Sequence, residues 1–241
     1  MRRSLFFLPS APLVVLTRLS DIRRHAIATH CCRRSQRVRP SVNTHVPLPR
    51  TFYLRPVRTV ARQLLGKVLV RRIGRITLSG IIVEVEAYNG SDDPASHAFR
   101  GRTPRNEIMF GTGGHLYVYF TYGMHFCANV VTGQEGAGSA ILLRALEPLG
   151  GITAMAHNRN RPEHAVKALL SGPAKLCQAM KIGRKENGAD LCGNGIWIED
   201  RGFAAPPRDI AATPRIGITQ GKEHLWRYVV RESAFLSRPV R

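Results

Sequence analysis

The sequence predicts an α+β fold: a single compact mixed domain with a curved, largely antiparallel sheet flanked by helices and a protruding β-hairpin. Three observations carry this. Runs of alternating β-branched and aromatic residues lie between short turn signals, as in "GIIVEVEAY" and "HLYVYFTYGMHFCANVV". Helical periodicity is confined to a few segments that do not alternate regularly with the strands. The chain has 241 residues and is 44% hydrophobic, enough for one sizeable core or at most two small ones. It contains no internal repeats.

The ordered domain is expected to span residues 46–241. "TVARQLLGKVLV" reads as a helix around Val60–Leu65 that stops at Gly66, followed by a strand over Lys67–Arg72. "RIGRITLSGIIVEVEAY" continues as a β-meander, with Gly74 and Ser79-Gly80 as turn signals. "NGSDDPASHAFRGRTPRNEIMFGTGG" is a long punctuated connection with one helical turn near Pro94–His97. A loop of that length in a compact domain is functional or disordered. The next two apolar runs flank Tyr122-Gly123-Met124 and predict a hairpin with a tight turn. "SAILLRALEPLGGI" gives a strand ending near Glu147-Pro148. "GITAMAHNRNR" and "HAVKALLSGPAKLCQAMKI" read as helices, the second restarting at Gly172-Pro173. "GIWIED", "RIGIT" and "WRYVVRES" read as short closing strands.

Residues 1–45 form an Arg-rich leader that does not read as part of the domain and is expected to be disordered. Its charged start and short apolar stretch resemble a secretory signal. Its Arg-rich, acid-poor continuation suits an organellar transit peptide. An upstream start codon is the preferred reading, since thirty Arg against six Lys fits a GC-rich coding sequence. A bacterial source would make the protein cytoplasmic and nucleoid-associated.

The formal net charge is +20, unevenly spread. Residues 1–60 hold twelve Arg and one acid, a net of +11, and the remainder keeps a net of +9. A basic domain points to a polyanionic partner without specifying a sequence. The five cysteines, Cys31, Cys32, Cys127, Cys177 and Cys192, are odd in number and include no C-x-x-C pair. Neither a disulfide framework nor a structural zinc site is indicated, and reduced thiols are expected. No run approaches the ~20 apolar residues that span a bilayer.

Two acids interrupt the otherwise apolar strand "VEVEAY". Strict alternation puts Ile82, Glu84, Glu86 and Tyr88 on one face and Ile81, Val83, Val85 and Ala87 on the other. The acidic face is either solvated or part of a site. Four of the six tyrosines, Tyr88, Tyr117, Tyr119 and Tyr122, fall on this strand or the hairpin. Tyr122 at a hairpin tip is either a wedge for nucleic acid or an aromatic folded back on its own hairpin. His97 follows Glu86 by eleven residues, and a turn-rich connection can return it to the same pocket. His97, His115 and His125 lack metal-ligand spacing. "GTGGH" is neither a P-loop nor a dinucleotide fingerprint, and no G-x-S-x-G elbow occurs.

In combination, "IIVEVEAYNGSDDPASHAFRGRTPRNEIMF", "GHLYVYFTYGMHFCANV" and "ILLRALEPLGGI" resemble the alkyladenine (3-methyladenine) DNA glycosylase family. The resemblance runs in order from about Leu48 to Arg231 and includes "LPRTFYLRP", "LLGKVLV" and "GPAKLCQAM". It implies base excision repair: an alkylated or deaminated purine is flipped from duplex DNA and its N-glycosidic bond is hydrolysed, leaving an abasic site. It implies Glu86 as the general base for the attacking water, with Arg144 helping to hold that water. It implies Tyr88, His97 and Tyr119 as the base pocket, and Asn129 as the residue that disfavours guanine. Tyr122 matches the minor-groove wedge, and Arg102, Arg105 and His125 are candidate DNA contacts. His125 departs from the Tyr often found there, and the stretch between Asn129 and Arg144 is variable. Glu84 receives no catalytic role; a supporting group, an arginine partner and a DNA-facing acid are all compatible with its position.

No Lys occupies the motif strands, so a monofunctional enzyme without strand cleavage is expected. The expectation includes no metal, no organic cofactor, no membrane, and a monomer acting on duplex DNA with damaged purines. Two alternatives are a non-catalytic nucleic-acid-binding protein, and a nucleoside or glycoside hydrolase using Glu84 and Glu86 as a pair.

Overall fold

The structure, a computed structural model, describes residues 46–240. The leader assigned to residues 1–45 lies outside the described residues, as do Cys31 and Cys32. Among the described residues there are eight strands in one sheet, and the helices cover one of its faces.

The chain opens with a helical turn α1 (Arg50–Tyr53) and helix α2 (Val57–Leu64). Helix α2 begins three residues earlier than its periodicity predicted. Val57, Val60, Ala61 and Leu64 form a buried i, i+3, i+4, i+7 stripe directly after Pro56, which cannot continue a helix backwards. Gly66 ends this segment with φ 85°, where a Cβ would lie 2.0 Å from the Phe203 carbonyl oxygen. Only glycine fits there.

Strands β1 (Val68–Ile73) and β2 (Ile76–Asn89) form a hairpin turning at Gly74. Ser79-Gly80 is not a turn, contrary to the sequence reading. It lies inside β2, where the register against β5 (Ser139–Gly150) shifts and leaves Leu149 as an extra residue. A Cβ on Gly80 would come within 3.0 Å of the Glu147 oxygen and the Leu146 Cβ. The glycine permits close strand approach, and a turn signal cannot be told from that in sequence.

Strands β3 (Leu116–Thr121) and β4 (His125–Thr132) form the expected hairpin, and the antiparallel order is β3-β4-β5-β2-β1-β6, with β6 at Ile196–Glu199. Where β1 leaves β2, strand β8 (Arg227–Val230) takes its place, pairing at Glu84–Glu86, and β7 (Ile210–Thr213) pairs with β8. "RIGIT" is therefore not a strand. Gly217 has φ 77° and the Arg215 side chain is drawn into the protein, so β7 forms earlier in the chain.

Helices α3 (Ile152–Arg159), α4 (Val166–Leu169) and α5 (Pro173–Ala179) complete the helical layer. The restart at Gly172-Pro173 is as expected. The 90–115 connection contains two short 3-10 turns, Gly90–Asp92 and Glu107–Phe110, while Pro94–His97 is a hydrogen-bonded turn without a helix. Asn106 organises it: the side chain donates to the His97 and Gly101 carbonyls and accepts from the Thr103 N–H.

The sheet has two distinct faces. Leu116 and Val118, Ala128 and Val130, Ile141 and Leu143, and Val85 and Ala87 enter the main core against the helices. Their alternate neighbours, Tyr117 and Tyr119, Cys127 and Asn129, Leu142 and Arg144, and Glu86 and Tyr88, point to the other face. Strict alternation fails at one place. Ile82 joins the same core as Val85, and Leu146 the same core as Leu143, so both strands change inward parity around Val83-Glu84 and Arg144-Ala145. Ile81 packs instead with Val68, Val70 and Trp197. The sequence-based grouping of Ile82 with Glu84 and Glu86 is thereby corrected.

Candidate active site

The face away from the helices carries a cavity of about 380 Å³, walled by strands β2 to β5, the 90–115 connection and residues 216–219. Tyr88, His97, Tyr119, Asn129, Arg144 and Arg105 line it, and Tyr122 stands at its edge. Arg102 and His125 do not: Arg102 lies 5.6 Å over the Phe110 ring, and His125 is exposed opposite Thr121.

Glu86 is fully buried among groups that line this cavity. The Tyr88 hydroxyl donates to its Oε2 at 3.0 Å, and the Ile216 backbone N–H donates to Oε1 at 2.7 Å. Arg144 Nη1 lies 3.2 Å from Oε2. Burial, reinforced by the Glu86 charge, pushes the Tyr88 hydroxyl well above the usual phenol range, so it serves as a donor at neutral pH.

Glu84 is held differently. Its Oε1 accepts from Arg144 Nε (2.9 Å), Arg227 Nε (2.8 Å) and the Ser237 hydroxyl (2.7 Å), and its Oε2 from the Ser237 N–H (2.6 Å). Burial alone would raise its pKa. The hydrogen bonds from Arg227 and Ser237, with the Arg144 charge, outweigh burial and hold it below the ordinary carboxylate range. The solvated-face alternative for this strand is excluded, because both acids are fully buried.

The aromatic wall is compact. His97 meets Tyr119 edge to face at 4.5 Å, and Tyr119 stacks with Tyr117 at 5.6 Å. His97 Nδ1 is 3.1 Å from the Tyr117 hydroxyl, whose pKa is pushed up to about 12 by burial. The surrounding protein, and then the Arg105 cation, hold the His97 imidazole below its ordinary value. Asn129 donates to the Tyr117 carbonyl at 3.1 Å, across the β3–β4 ladder.

At the hairpin tip Tyr122 is 84% exposed, flanked by exposed Phe120 and Met124. Tyr122 and Gly123 have φ of 51° and 67°, the pair of positive values that a type I′ turn uses. That conformation is costly for a bulky residue.

Sequence reasoning missed several residues of this site. Alternation puts Tyr117 on the hairpin without placing it in the pocket, and nothing in the pattern marks Asp93, Arg215, Ile216 or Ser237. Arg227 carried a usable signal, a cation inside the apolar strand "WRYVV" that mirrors the acids of "VEVEAY". Ile216 and Ser237 act through backbone N–H groups and carried none.

Among the described residues, no group of three His, Cys, Asp or Glu side chains converges to hold a metal ion, and no helix is long and apolar enough to cross a membrane.

Several known proteins resemble this chain closely. A protein of Burkholderia lata is 51% identical over 195 residues, covering 80% of this chain and 92% of its own length. One from Carboxydothermus hydrogenoformans is 49% identical, covering 79% and 98%, and one from Koribacter versatilis is 46% identical, covering 83% and 97%. All three carry the provisional name 3-methyladenine DNA glycosylase. The chain is accordingly a DNA glycosylase, a hydrolase of base excision repair. The family profile described as methylpurine-DNA glycosylase matches residues 51–234, and the chain belongs to that family.

Proposed function

We propose that this glycosylase receives a flipped alkylated or deaminated purine from duplex DNA in the aromatic cavity, hydrolyses its N-glycosidic bond, and leaves an abasic site. The observation that carries this reading is the unequal placement of the two acids. Every residue that meets Glu86, namely Tyr88, Ile216 and Arg144, lines the cavity. Glu84 is held in addition by Arg227 and Ser237, which do not line it. Glu86 is thus enclosed by cavity groups, and Glu84 is anchored away from them.

As the purine leaves, positive charge develops on the sugar. Glu86 stabilises that charge, accepts a proton from the attacking water and directs the oxygen toward C1′. Arg144 holds the same water near the sugar phosphate. Tyr88, His97 and Tyr119 sandwich the base, an arrangement that favours electron-poor alkylated purines. Asn129 crowds the 2-amino group of guanine. Tyr122 fills the vacated stack, and Arg102, Arg105 and His125 contact the DNA. The catalytic unit is residues 46–241, acting as a monomer. The anchoring of Glu84 by Arg227 and Ser237 speaks against a two-carboxylate glycosidase, and the buried Glu86 speaks against a purely binding role.

Base release from duplexes carrying 3-methyladenine, 7-methylguanine, hypoxanthine or ethenoadenine tests the reading. Free base should appear from at least one duplex, without strand cleavage and not from the corresponding nucleoside. Release from the nucleoside alone, or from no substrate, overturns it.

A further inference from the structure

We infer that Arg215 is a positioning residue for base excision, holding Tyr88 and the Ile216 backbone in place against Glu86; this rests on the reading of Glu86 as the base. Arg215 is buried and does not line the cavity. Its guanidinium lies 4.7 Å over the Tyr88 ring and 5.1 Å over the Trp226 ring, so it packs on Tyr88 from outside the cavity lining. Nη1 and Nη2 reach the two oxygens of Asp93 at 2.5 and 2.8 Å, and donate further to the Ala87 and Gly221 carbonyls.

Asp93 accepts in turn from the Asn89 and Ala95 N–H groups. The pair therefore joins three segments: the end of β2 that carries Tyr88, the connection that carries His97, and the 214–221 segment that carries Ile216. Two of the three groups that touch Glu86 are held by this one side chain or are its chain neighbour. Gly221 makes room for it, since a Cβ there would lie 2.9 Å from Nη2. A buried ion pair is weak support for stability in itself.

Arg215→Lys in the full-length protein keeps the charge but loses the planar fork and the ring stack. Its maximal single-turnover excision rate should fall on the order of 10²-fold, because small misplacements of catalytic groups cost about that much. The enzyme concentration giving half-maximal rate should stay within about twofold, since no DNA contact is lost. Asp93→Asn should act in the same direction, and the Arg215→Lys/Asp93→Asn pair should lose little more than either alone. An unchanged maximal rate overturns the inference, and so does a rate loss matched by an equal loss of affinity. If Arg215→Lys does not fold, Arg215→Met combined with Asp93→Asn removes both charges and is read by the same criteria. Glu86→Gln, measured alongside, separates the two levels. An active Glu86→Gln overturns the assignment of the base, whereas an inactive one beside a fully active Arg215→Lys overturns only the positioning role.

Discussion

Glu84 and Glu86 share one cation: Arg144 places Nε 2.9 Å from Glu84 Oε1 and Nη1 3.2 Å from Glu86 Oε2. A single guanidinium thus spans an acid anchored away from the cavity and one enclosed by cavity groups. Glu84 fixes the arginine, and the arginine faces the cavity where Glu86 is used.

This division predicts opposite phenotypes for two similar substitutions. Glu86→Gln should lower the single-turnover excision rate by about 10²–10⁴-fold, the usual worth of a general base. Glu84→Gln should chiefly destabilise, by about 3–5 kcal/mol, because it leaves buried arginines without their partner. The Glu84 effect should also depend on pH. Its folded pKa is depressed, so its contribution to stability is present above the ordinary glutamate pKa and is lost as pH falls through the lower folded value. Denaturant melts of wild type and Glu84→Gln should therefore converge in acid and diverge at neutral pH. A constant gap across that range contradicts the assignment.

His97 should be neutral at pH 7. Its surroundings and the Arg105 cation lower its pKa, so an NMR titration should give a midpoint below the usual value of about 6.5. A cationic alkylated purine would then meet no imidazolium charge in the pocket. A midpoint above the usual value would contradict this account of the aromatic wall.

Tyr122 stands in a conformation that suits glycine, and it is almost wholly exposed. Tyr122→Gly should raise stability by up to about 1 kcal/mol by relieving positive-φ strain. Excision from duplex DNA should nevertheless fall, because the wedge no longer offsets the few kcal/mol of unstacking. The loss should shrink when the damaged base is mispaired. Lower stability with equal losses on both duplexes would indicate a packing role instead.

Removing residues 1–44 should leave folding and base release intact, since the family match begins at Thr51. Circular dichroism and excision by the shortened protein check this. Insolubility or inactivity would assign those residues to the catalytic unit.

Much of this architecture was legible in the sequence, because period-2 patterning specifies which residues share a face. That rule places Glu86 with Tyr88, Tyr117 with Tyr119, and Tyr122 at a turn. It failed around Val83, where both β2 and β5 change parity together, an event that leaves no mark in either strand alone. Ser79-Gly80 was misread because a glycine that admits a neighbouring strand looks like a glycine that turns. The groups that complete the site come from residues 215–237, a stretch with little regular structure that contributes backbone N–H donors and buried arginines. Patterning is silent about such contributions.

The hairpin fixes a distance. Tyr119 in the cavity wall and Tyr122 at the tip are three residues apart on one chain segment. The ladder to β4 stiffens that span as far as Thr121, so pocket and tip resemble the two jaws of a caliper. On the proposed reading, register along the double helix would be gauged by a length of backbone set before any base is contacted.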